Sequence, residues 1–326
     1  MAAGRGTHGR FIGEPAPLWQ TRRRAAARAG AEQNPVEIGR RDYGVRVGGL
    51  SGFLQFIRFS HTIFALPFAI GAMFVAADGW PSFRVVAGIL LAMVFARTAA
   101  MTFNRLADWN IDQRNPRTAG RHRLMSRPAA AVVCAISAAG FVAAAAWLNP
   151  LCLMLSPVAL AIVFFYSLTK RFTDFAQFFL GLALAVAPVG AWMAVTGGAT
   201  IVPLVLAAAV LVWVAGFDLI YASQDYEVDR REGLHSLVVR LGVERAFRWA
   251  VGLHIAAFFG LAAFGWMAGL GLGYGAALVV IAGALIFEHR EARRGTVESI
   301  NRAFFQANAV VGIVFVLGIV ADVFIR

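Results

Sequence analysis

The chain has 326 residues, of which 59% are hydrophobic and only 15% are charged. This composition is too apolar for a soluble globular domain and predicts an all-α integral membrane protein with several transmembrane helices. Helices are expected because each one satisfies its own backbone hydrogen bonds within lipid. The net charge is +12, and Lys170 is the only lysine among thirty basic residues.

The N-terminal part, residues 1–48, is rich in arginine, alanine and glycine and lacks the apolar segment of a signal peptide. We expect it to be a basic, disordered cytoplasmic tail near anionic lipid. Residues 49–326 are predicted to form the membrane domain. Cys134 and Cys152 lie inside apolar runs and are expected to be small core residues.

Nine apolar runs follow the tail, and each approaches the ~20 residues that cross a bilayer. They lie at about 60–77, 84–107, 129–148, 150–168, 175–197, 200–222, 246–268, 270–287 and 303–325. Arginines concentrate in the tail and in the connections after the second, fourth, sixth and eighth runs. Basic loops stay in the cytoplasm. We therefore expect a multi-pass protein of the inner (cytoplasmic) membrane, with its N-terminus inside and its C-terminus outside.

A first acidic motif, NRLADWNID, ends the second apolar run. Its Asn104, Asp108 and Asp112 are spaced i, i+4, i+8, so they share one face of a helix. Carboxylates at a membrane edge repel each other and are costly to desolvate, which favours a bound cation. The simpler alternative is ion pairing with nearby arginines.

A second acidic motif, formed by Asp218, Tyr221, Asp225 and Asp229, ends the sixth run. The predicted topology puts both motifs on the cytoplasmic side. Hard oxygen donors suit Mg²⁺, which fills its remaining positions with water and phosphate oxygens. The predicted metal ligands are Asn104, Asp108, Asp112, Asp225 and Asp229. A diphosphate bridged by such ions is a better leaving group, because the metal neutralises the charge that develops on it.

Basic side chains near these motifs are candidate substrate contacts. They are Arg58, Arg105, Arg117, Arg121, Lys170 and Arg171. Lys170 is favoured because it is the sole lysine and follows the aromatic end of the fourth run. Arg58 is a candidate for an acceptor carboxylate or the diphosphate. The alternatives are the general cytoplasmic excess of arginine and an interfacial, snorkelling role.

With both motifs in order, the chain resembles the UbiA superfamily of intramembrane prenyltransferases. NRLADWNID resembles the first aspartate-rich motif of that family, and DLIYASQDYEVD resembles the second. The segments FSHTIFALPFA, NPRTAGR, FFYSLTKRFT, APVGAW and GLHSL are also similar, so the resemblance covers about residues 50–326. The first motif has Arg105 where many 4-hydroxybenzoate enzymes of the family have aspartate.

The resemblance implies a nine-helix bundle around a central cavity that opens sideways to lipid. It implies Mg²⁺-dependent transfer of a polyprenyl group from polyprenyl diphosphate to an aromatic ring. By position, Asp218 and Tyr221 would face the acceptor or the diphosphate, and Lys170 would contact the diphosphate. Within the family, the chain is similar to the quinone-pathway branch that acts on 4-hydroxybenzoate for ubiquinone or menaquinone. The alternative acceptor is 1,4-dihydroxy-6-naphthoate in the futalosine route to menaquinone.

A secondary transporter is the alternative from a different class, since it too has many spans and intramembrane acids. Transporters place such charges near the bilayer midplane in paired repeats. Here the acids lie at helix ends, and the number of predicted spans is odd. The expected partners are therefore the two substrates and the lipid bilayer, with no nucleic acid and no obligate protein partner. Prenyl chain length and oligomeric state stay open.

Overall fold

The computed structural model describes residues 64–114, 118 and 124–325. Within these ranges the regular structure is all helical, without a strand, which confirms the predicted all-α membrane fold. The predicted basic tail and the start of the first predicted span lie outside the described residues. The proposed boundary between residues 48 and 49 therefore stays a prediction.

The described residues form thirteen α-helices and two short irregular turns. The helices are α1 Leu66–Ala77, α2 Phe83–Ala107, α3 Trp109–Arg114, α4 Arg127–Leu148, α5 Pro150–Thr169, α6 Ala176–Thr196, α7 Ile201–Ala222, α8 Tyr226–Arg231, α9 Leu237–Leu241, α10 Val243–Met267, α11 Leu272–Ala292, α12 Val297–Arg302 and α13 Asn308–Ile325. A 3₁₀ turn, Ser223–Asp225, joins α7 to α8, and a π-helical turn, Ala303–Ala307, joins α12 to α13.

Eight helical segments of the described chain are long and apolar enough to span a membrane, from Phe83–Ala107 to Val297–Ile325. They coincide with the second to ninth predicted spans. Helix α1 has 12 residues and coincides with the described part of the first predicted span. The predicted bundle is thus confirmed as a multi-pass helical fold, and the count of nine stays a prediction.

Polar residues and prolines begin several of the long helices. Ser82 and Ser126 accept hydrogen bonds from the backbone N–H groups of Val85 and Ala129, at 3.4 Å each. These caps satisfy donors that the first helical turn leaves free. Asn149 caps α5 through the Cys152 N–H at 2.9 Å, and its amide donates to the Met193 carbonyl at 2.9 Å. This side chain therefore joins the start of α5 to the end of α6.

The long helices pack mainly against their neighbours in sequence. Helix α2 packs on α4, and α5 packs on both α4 and α6. Helix α7 packs on α6 and α10, and α11 packs on α10 and α13. Helix α1 packs on α6 and α13 and so connects the early and late helices. Helices α2, α4, α5 and α6 form one side of the bundle, and this side contains the apolar cavity described below.

Close helix contacts depend on small residues, as is usual where lipid removes the hydrophobic driving force. At Gly181 on α6, an added Cβ would collide with the carbonyl oxygen of Leu211 on α7. This position therefore sets the short separation between the two helices. Large apolar side chains such as Phe83, Trp266 and Leu272 are exposed and suit contact with lipid.

A buried polar cluster joins α7, α10 and α11 inside the bundle. His254 Nε2 donates to the Trp213 carbonyl at 3.2 Å, and His254 Nδ1 lies 3.0 Å from His289 Nε2. The carboxyl group of Glu288 is fully buried, 3.7 Å from His254 Nδ1. The contacts of the two histidines satisfy buried ring nitrogens, which lipid could not do, whereas neither oxygen of Glu288 has a hydrogen-bond partner among the described residues.

The carboxylate of Asp322 on α13 caps the N-terminus of α11. It accepts hydrogen bonds from the backbone N–H groups of Gly271 at 2.7 Å, Gly273 at 2.9 Å and Tyr274 at 2.8 Å. A negative charge at this position also interacts favourably with the helix dipole. Asp322 thus fixes the last span against α11.

We expect Asp322→Asn to destabilise the protein by about 2 kcal/mol, because charge-assisted bonds to helix N–H groups are lost. Thermal unfolding of the detergent-purified protein, followed by tryptophan fluorescence, should show a lower Tm. Asp78→Asn is the matched control, since Asp78 is exposed and caps no second helix. Equal Tm values for the two variants would contradict the capping role.

Candidate functional site

The first acidic motif crosses a break between two helices. Helix α2 ends at Ala107 and α3 begins at Trp109, so Asp108 lies between them. The backbone pattern nevertheless continues, because the Asp108 N–H donates to the Asn104 carbonyl at 2.9 Å and the Asp112 N–H donates to the Asp108 carbonyl at 2.8 Å. The three motif residues therefore follow one another at intervals of one turn, which agrees with the predicted shared face.

Two cationic side chains from the α5–α6 connection hold the Asp108 carboxylate. Lys170 Nζ lies 2.7 Å from Oδ2, and Arg171 Nη2 lies 3.1 Å from Oδ1. Arg171 also donates to the carbonyl of Ala107 at 2.7 Å. Asp108 is only 3% exposed, so these contacts supply the opposite charge that a buried carboxylate requires. The structure thus brings two predicted substrate contacts directly to the first motif.

Asp112 is held by the arginine of its own motif. Arg105 Nη1 lies 3.4 Å from Asp112 Oδ2, and Arg105 is 4% exposed. The Thr118 hydroxyl donates to the Asp112 carbonyl at 2.9 Å. Arg105 was predicted to contact substrate, and in this structure its guanidinium is directed to Asp112.

The second motif lies along one continuous helical segment, Ile201–Arg231. Asp218 and Tyr221 occupy the end of α7, Asp225 ends the 3₁₀ turn, and Asp229 lies on α8. All four side chains are half-buried. This placement agrees with the predicted acidic end of the sixth span.

The π-helical turn supports the tyrosine of this motif. The ring of Phe304 lies 4.3 Å from the ring of Tyr221 and is tilted by 35°. The Asn308 amide donates to the Phe304 carbonyl at 2.8 Å, within the widened turn. Such turns are frequent at functional sites. Sequence patterns gave no indication of this one.

A salt bridge joins the segments that follow the two motifs. Arg114 on α3 lies 2.9 Å from Glu232, the residue after α8. The two motifs are therefore linked through the segments that follow them as well as through the bundle. The predicted contacts Arg58, Arg117 and Arg121 lie outside the described residues and stay predictions.

An apolar cavity of about 420 Å³ lies between α2, α4, α5 and α6. Most of its wall is alanine, valine and leucine, and its polar residues include Arg97, Ser156 and Tyr166. Met101 also lines it, so along α2 the cavity reaches within one turn of Asn104. A pocket of this type suits a ligand with a long apolar part.

Arg97 is the functional candidate that the sequence reasoning missed. It precedes Asn104 by seven residues, which places it on the same face of α2 and roughly 10 Å further along the helix. An arginine inside an apolar run was the available signal, because intramembrane charges usually mark a site.

The donor set of the two motifs fits a hard divalent cation. Carboxylate and amide oxygens are the ligands that Mg²⁺ prefers, and the motifs together supply Asn104, Asp108, Asp112, Asp225 and Asp229. No group of three or more histidine, cysteine, aspartate or glutamate side chains in the described part of the chain is close enough to hold one ion. In this conformation Asp108 and Asp112 instead face Lys170, Arg171 and Arg105.

A sequence model of the UbiA prenyltransferase family matches residues 65–318. The chain belongs to the UbiA prenyltransferase family. The predicted family is therefore confirmed.

A 4-hydroxybenzoate octaprenyltransferase of Saccharophagus degradans is 31% identical over 255 residues, which cover 77% of this chain and 84% of that protein. A protein of the same name from Alkalilimnicola ehrlichii is 32% identical over 260 residues, 77% of this chain and 86% of the relative. These names agree with the predicted enzyme class, an aromatic polyprenyltransferase.

Solved structures of UbiA homologs have the same fold. The apo structure of a UbiA homolog from Aeropyrum pernix K1 matches with a TM-score of 0.74 and 32% identity, over 80% of this chain and 98% of that one. A UbiA homolog from Archaeoglobus fulgidus bound to DMAPP and Mg²⁺ matches with a TM-score of 0.65 over 84% of this chain and 99% of that one. At 20% identity, this second likeness supports the fold alone.

Proposed function

We propose that this UbiA-family chain transfers a polyprenyl group from polyprenyl diphosphate to an aromatic carboxylic acid of the 4-hydroxybenzoate type. The observation that carries the proposal is the position of the charged site. Asp108 meets Lys170 and Arg171 next to an apolar cavity that contains Arg97. Charged groups for a diphosphate and an apolar volume for its hydrocarbon part thus lie side by side. Relatives named 4-hydroxybenzoate octaprenyltransferase support this choice of acceptor.

The acidic motifs are proposed to hold Mg²⁺. Asn104, Asp108 and Asp112 would serve from the first motif, and Asp225 and Asp229 from the second. When bound, Mg²⁺ neutralises the negative charge that develops on the departing diphosphate. The oxygen donor set carries this proposal, and a UbiA homolog of the same fold solved with DMAPP and Mg²⁺ is consistent with it.

Basic side chains are proposed to bind the diphosphate itself. Lys170 and Arg171 already contact a carboxylate that carries similar oxygen atoms, so phosphate oxygens are suitable alternative partners. Arg117 and Arg121 remain proposed contacts from the connection that follows the first motif, and Arg105 remains one within it. The polyprenyl chain would occupy the apolar cavity between α2, α4, α5 and α6.

The acceptor is proposed to bind through its carboxylate to an arginine. Arg97 lies in the cavity wall with Tyr166, and a guanidinium can hold a carboxylate through two parallel hydrogen bonds. Arg58 was the sequence-based choice and remains a second proposed contact. Asp218 and Tyr221 would face the acceptor or the diphosphate from the end of α7.

The proposed reaction forms a carbon–carbon bond between the prenyl C1 atom and the aromatic ring. The bond between C1 and the diphosphate oxygen breaks and leaves an allylic cation. The ring carbon attacks this cation, and the ring then gives its proton to the released diphosphate, which restores aromaticity. The apolar cavity excludes water, which would otherwise capture the cation as an alcohol.

The same chemistry on 1,4-dihydroxy-6-naphthoate is the alternative within this proposal, because both acceptors are aromatic carboxylates. Membranes containing the protein should be incubated with Mg²⁺, a polyprenyl diphosphate and each acid in turn, and the products identified by mass spectrometry. Prenylated 4-hydroxybenzoate is the expected product. Family membership leaves the secondary transporter without support.

The metal prediction is that activity requires Mg²⁺ and the motif carboxylates. Asp108→Ala, Asp112→Ala, Asp225→Ala and Asp229→Ala should each lower kcat/KM by about 100-fold or more, since metal stabilisation of the leaving group is worth several kcal/mol. Rates should be measured with purified, folded protein in Mg²⁺ and in EDTA. Full turnover in EDTA, or a wild-type rate for Asp108→Ala, would remove this mechanism.

The second prediction separates the two substrates. Lys170→Ala should weaken the binding of polyprenyl diphosphate, and Arg97→Leu should weaken the binding of the acceptor. Each loss should be on the order of 2–5 kcal/mol in a dry site. Both Michaelis constants should be measured for both variants with 4-hydroxybenzoate and a dihydroxynaphthoate.

Arg58→Ala provides the comparison between the two candidate acceptor contacts. The variant that relaxes the requirement for an acceptor carboxylate identifies the arginine that binds it. If Lys170→Ala and Arg97→Leu change the two constants equally, the assignment of roles is wrong.

The topology prediction is that both motifs lie on the cytoplasmic side of the inner membrane and the C-terminus outside. Single cysteines should be introduced as Arg231→Cys and Ala199→Cys, after Cys134 and Cys152 have been replaced. Arg231 is the exposed last residue of α8 and Ala199 is exposed just before α7, so they lie at opposite ends of the helical segment Ile201–Arg231. A membrane-impermeant thiol reagent added to intact cells should label only Ala199→Cys. The reverse labelling would overturn the orientation.

A further inference from the structure

Asp174 joins the connection that carries Lys170 to the connection that follows the second motif. It lies four residues after Lys170, between α5 and α6. Its Oδ1 atom is 3.1 Å from His235 Nδ1, and its Oδ2 atom is 3.1 Å from Arg240 Nη1. Both oxygens of one side chain therefore contact the segment between α8 and α10.

His235 makes a second contact with the same connection, through its backbone. The His235 N–H donates to the carbonyl oxygen of Lys170 at 2.8 Å. His235 thus contacts Lys170 with its main chain and Asp174 with its ring. Two contacts about one turn apart fix both the position and the direction of the Lys170 segment.

We propose that Asp174 is a positioning residue that, through His235 and Arg240, holds Lys170 where its ammonium group meets the diphosphate. This inference rests on the proposed function for its substrate and adds a residue that neither acidic motif contains. Lys170 would be the residue that touches the substrate, and Asp174 would act only through it.

Lys170 needs such support because its own position is weakly determined. It is the first residue after α5, and its side chain has four rotatable bonds. In this structure the Asp108 carboxylate holds its ammonium group at 2.7 Å. A diphosphate would compete with Asp108 for that ammonium, so this contact alone cannot keep Lys170 in place during binding. The contacts of Asp174 involve none of the proposed metal ligands and can therefore persist.

The exposure of the Asp174 contacts argues against a mainly structural role. The side chains of Asp174, His235 and Arg240 are 23%, 50% and 61% exposed. Exposed ion pairs contribute little to global stability. Variants at Asp174 should therefore stay folded, and their effect should be local to the Lys170 connection.

The chain allows a direct measurement of Lys170, because Lys170 is its only lysine. The full-length protein in detergent should be treated briefly with sulfo-NHS-acetate, and acetylation of the Lys170 peptide followed by mass spectrometry. Asp174→Ala should raise the rate of Lys170 acetylation by about threefold or more, because local opening of the connection frees the amine from Asp108. Asp174→Glu, which keeps the carboxylate, should restore most of the protection.

Enzyme kinetics test whether Asp174 affects the binding of polyprenyl diphosphate. Asp174→Ala should raise the KM for polyprenyl diphosphate by about tenfold, because small misplacements of a contact group weaken its action strongly. The KM for the aromatic acid and the Tm should stay close to the wild-type values. Glu244→Ala is the matched control, since Glu244 is an exposed carboxylate in the first turn of α10. It should change neither acetylation nor KM.

The outcomes separate this inference from the proposed function. Unchanged acetylation in Asp174→Ala overturns it, and so does faster acetylation with an unchanged KM for the diphosphate. A wild-type protein that prenylates no aromatic acid contradicts the proposed acceptor. In that case geranyl diphosphate with Mg²⁺ should still slow acetylation in the wild type, and Asp174→Ala should weaken this protection. Equal protection in both proteins overturns the positioning role.

Discussion

A buried carboxylate at the end of a membrane helix needs an opposite charge or hydrogen-bond donors beside it. Asp108 is in this position, almost fully buried and paired with Lys170 and Arg171. Removing one partner from such a group is strongly unfavourable, because an uncompensated charge is left in a poorly solvated place. The pairing therefore fixes the α5–α6 connection against the end of α2. The rest of the site depends on that contact, since Asp174 and His235 extend it to the connection that follows the second motif.

The same constraint explains why polar groups are few and specifically placed in the bundle. Cavity walls of small apolar residues leave volume without adding groups that need partners. Arg97 is an exception in that wall, and the cluster of His254, Glu288 and His289 is another within the late helices. The cluster ties three helices together, whereas Arg97 faces a cavity. In our proposal the cluster of His254, Glu288 and His289 therefore stabilises the bundle, and Arg97 binds a ligand.

The fold was largely predictable, because apolar runs of span length and helical spacing are local properties of the sequence. The spacing of Asn104, Asp108 and Asp112 placed these residues one turn apart, and the backbone bonds agree. The pairing of Arg105 with Asp112 depends on the direction of the two side chains, which the sequence does not show. The contacts of Asp174 join residues far apart in sequence, so local patterns could not predict them either. The helix break at Asp108 leaves the periodicity intact, so periodicity could not reveal it. The roles of Arg58, Arg117 and Arg121 lie outside the described residues and stay predictions.

The π-helical turn at Ala303–Ala307 has a consequence for changes of chain length in the last span. One residue is accommodated there in addition to the ordinary helical count, and the Asn308 side chain bonds to a carbonyl that the widened turn exposes. Deleting a single residue would restore a regular helix but rotate one side of it by roughly 100° against the other. Either Phe304 would leave Tyr221, or Asp322 would leave the start of α11. The extra residue thus lets the last span keep two contacts that a regular helix could not make together, one with Tyr221 near its start and one with α11 near its end.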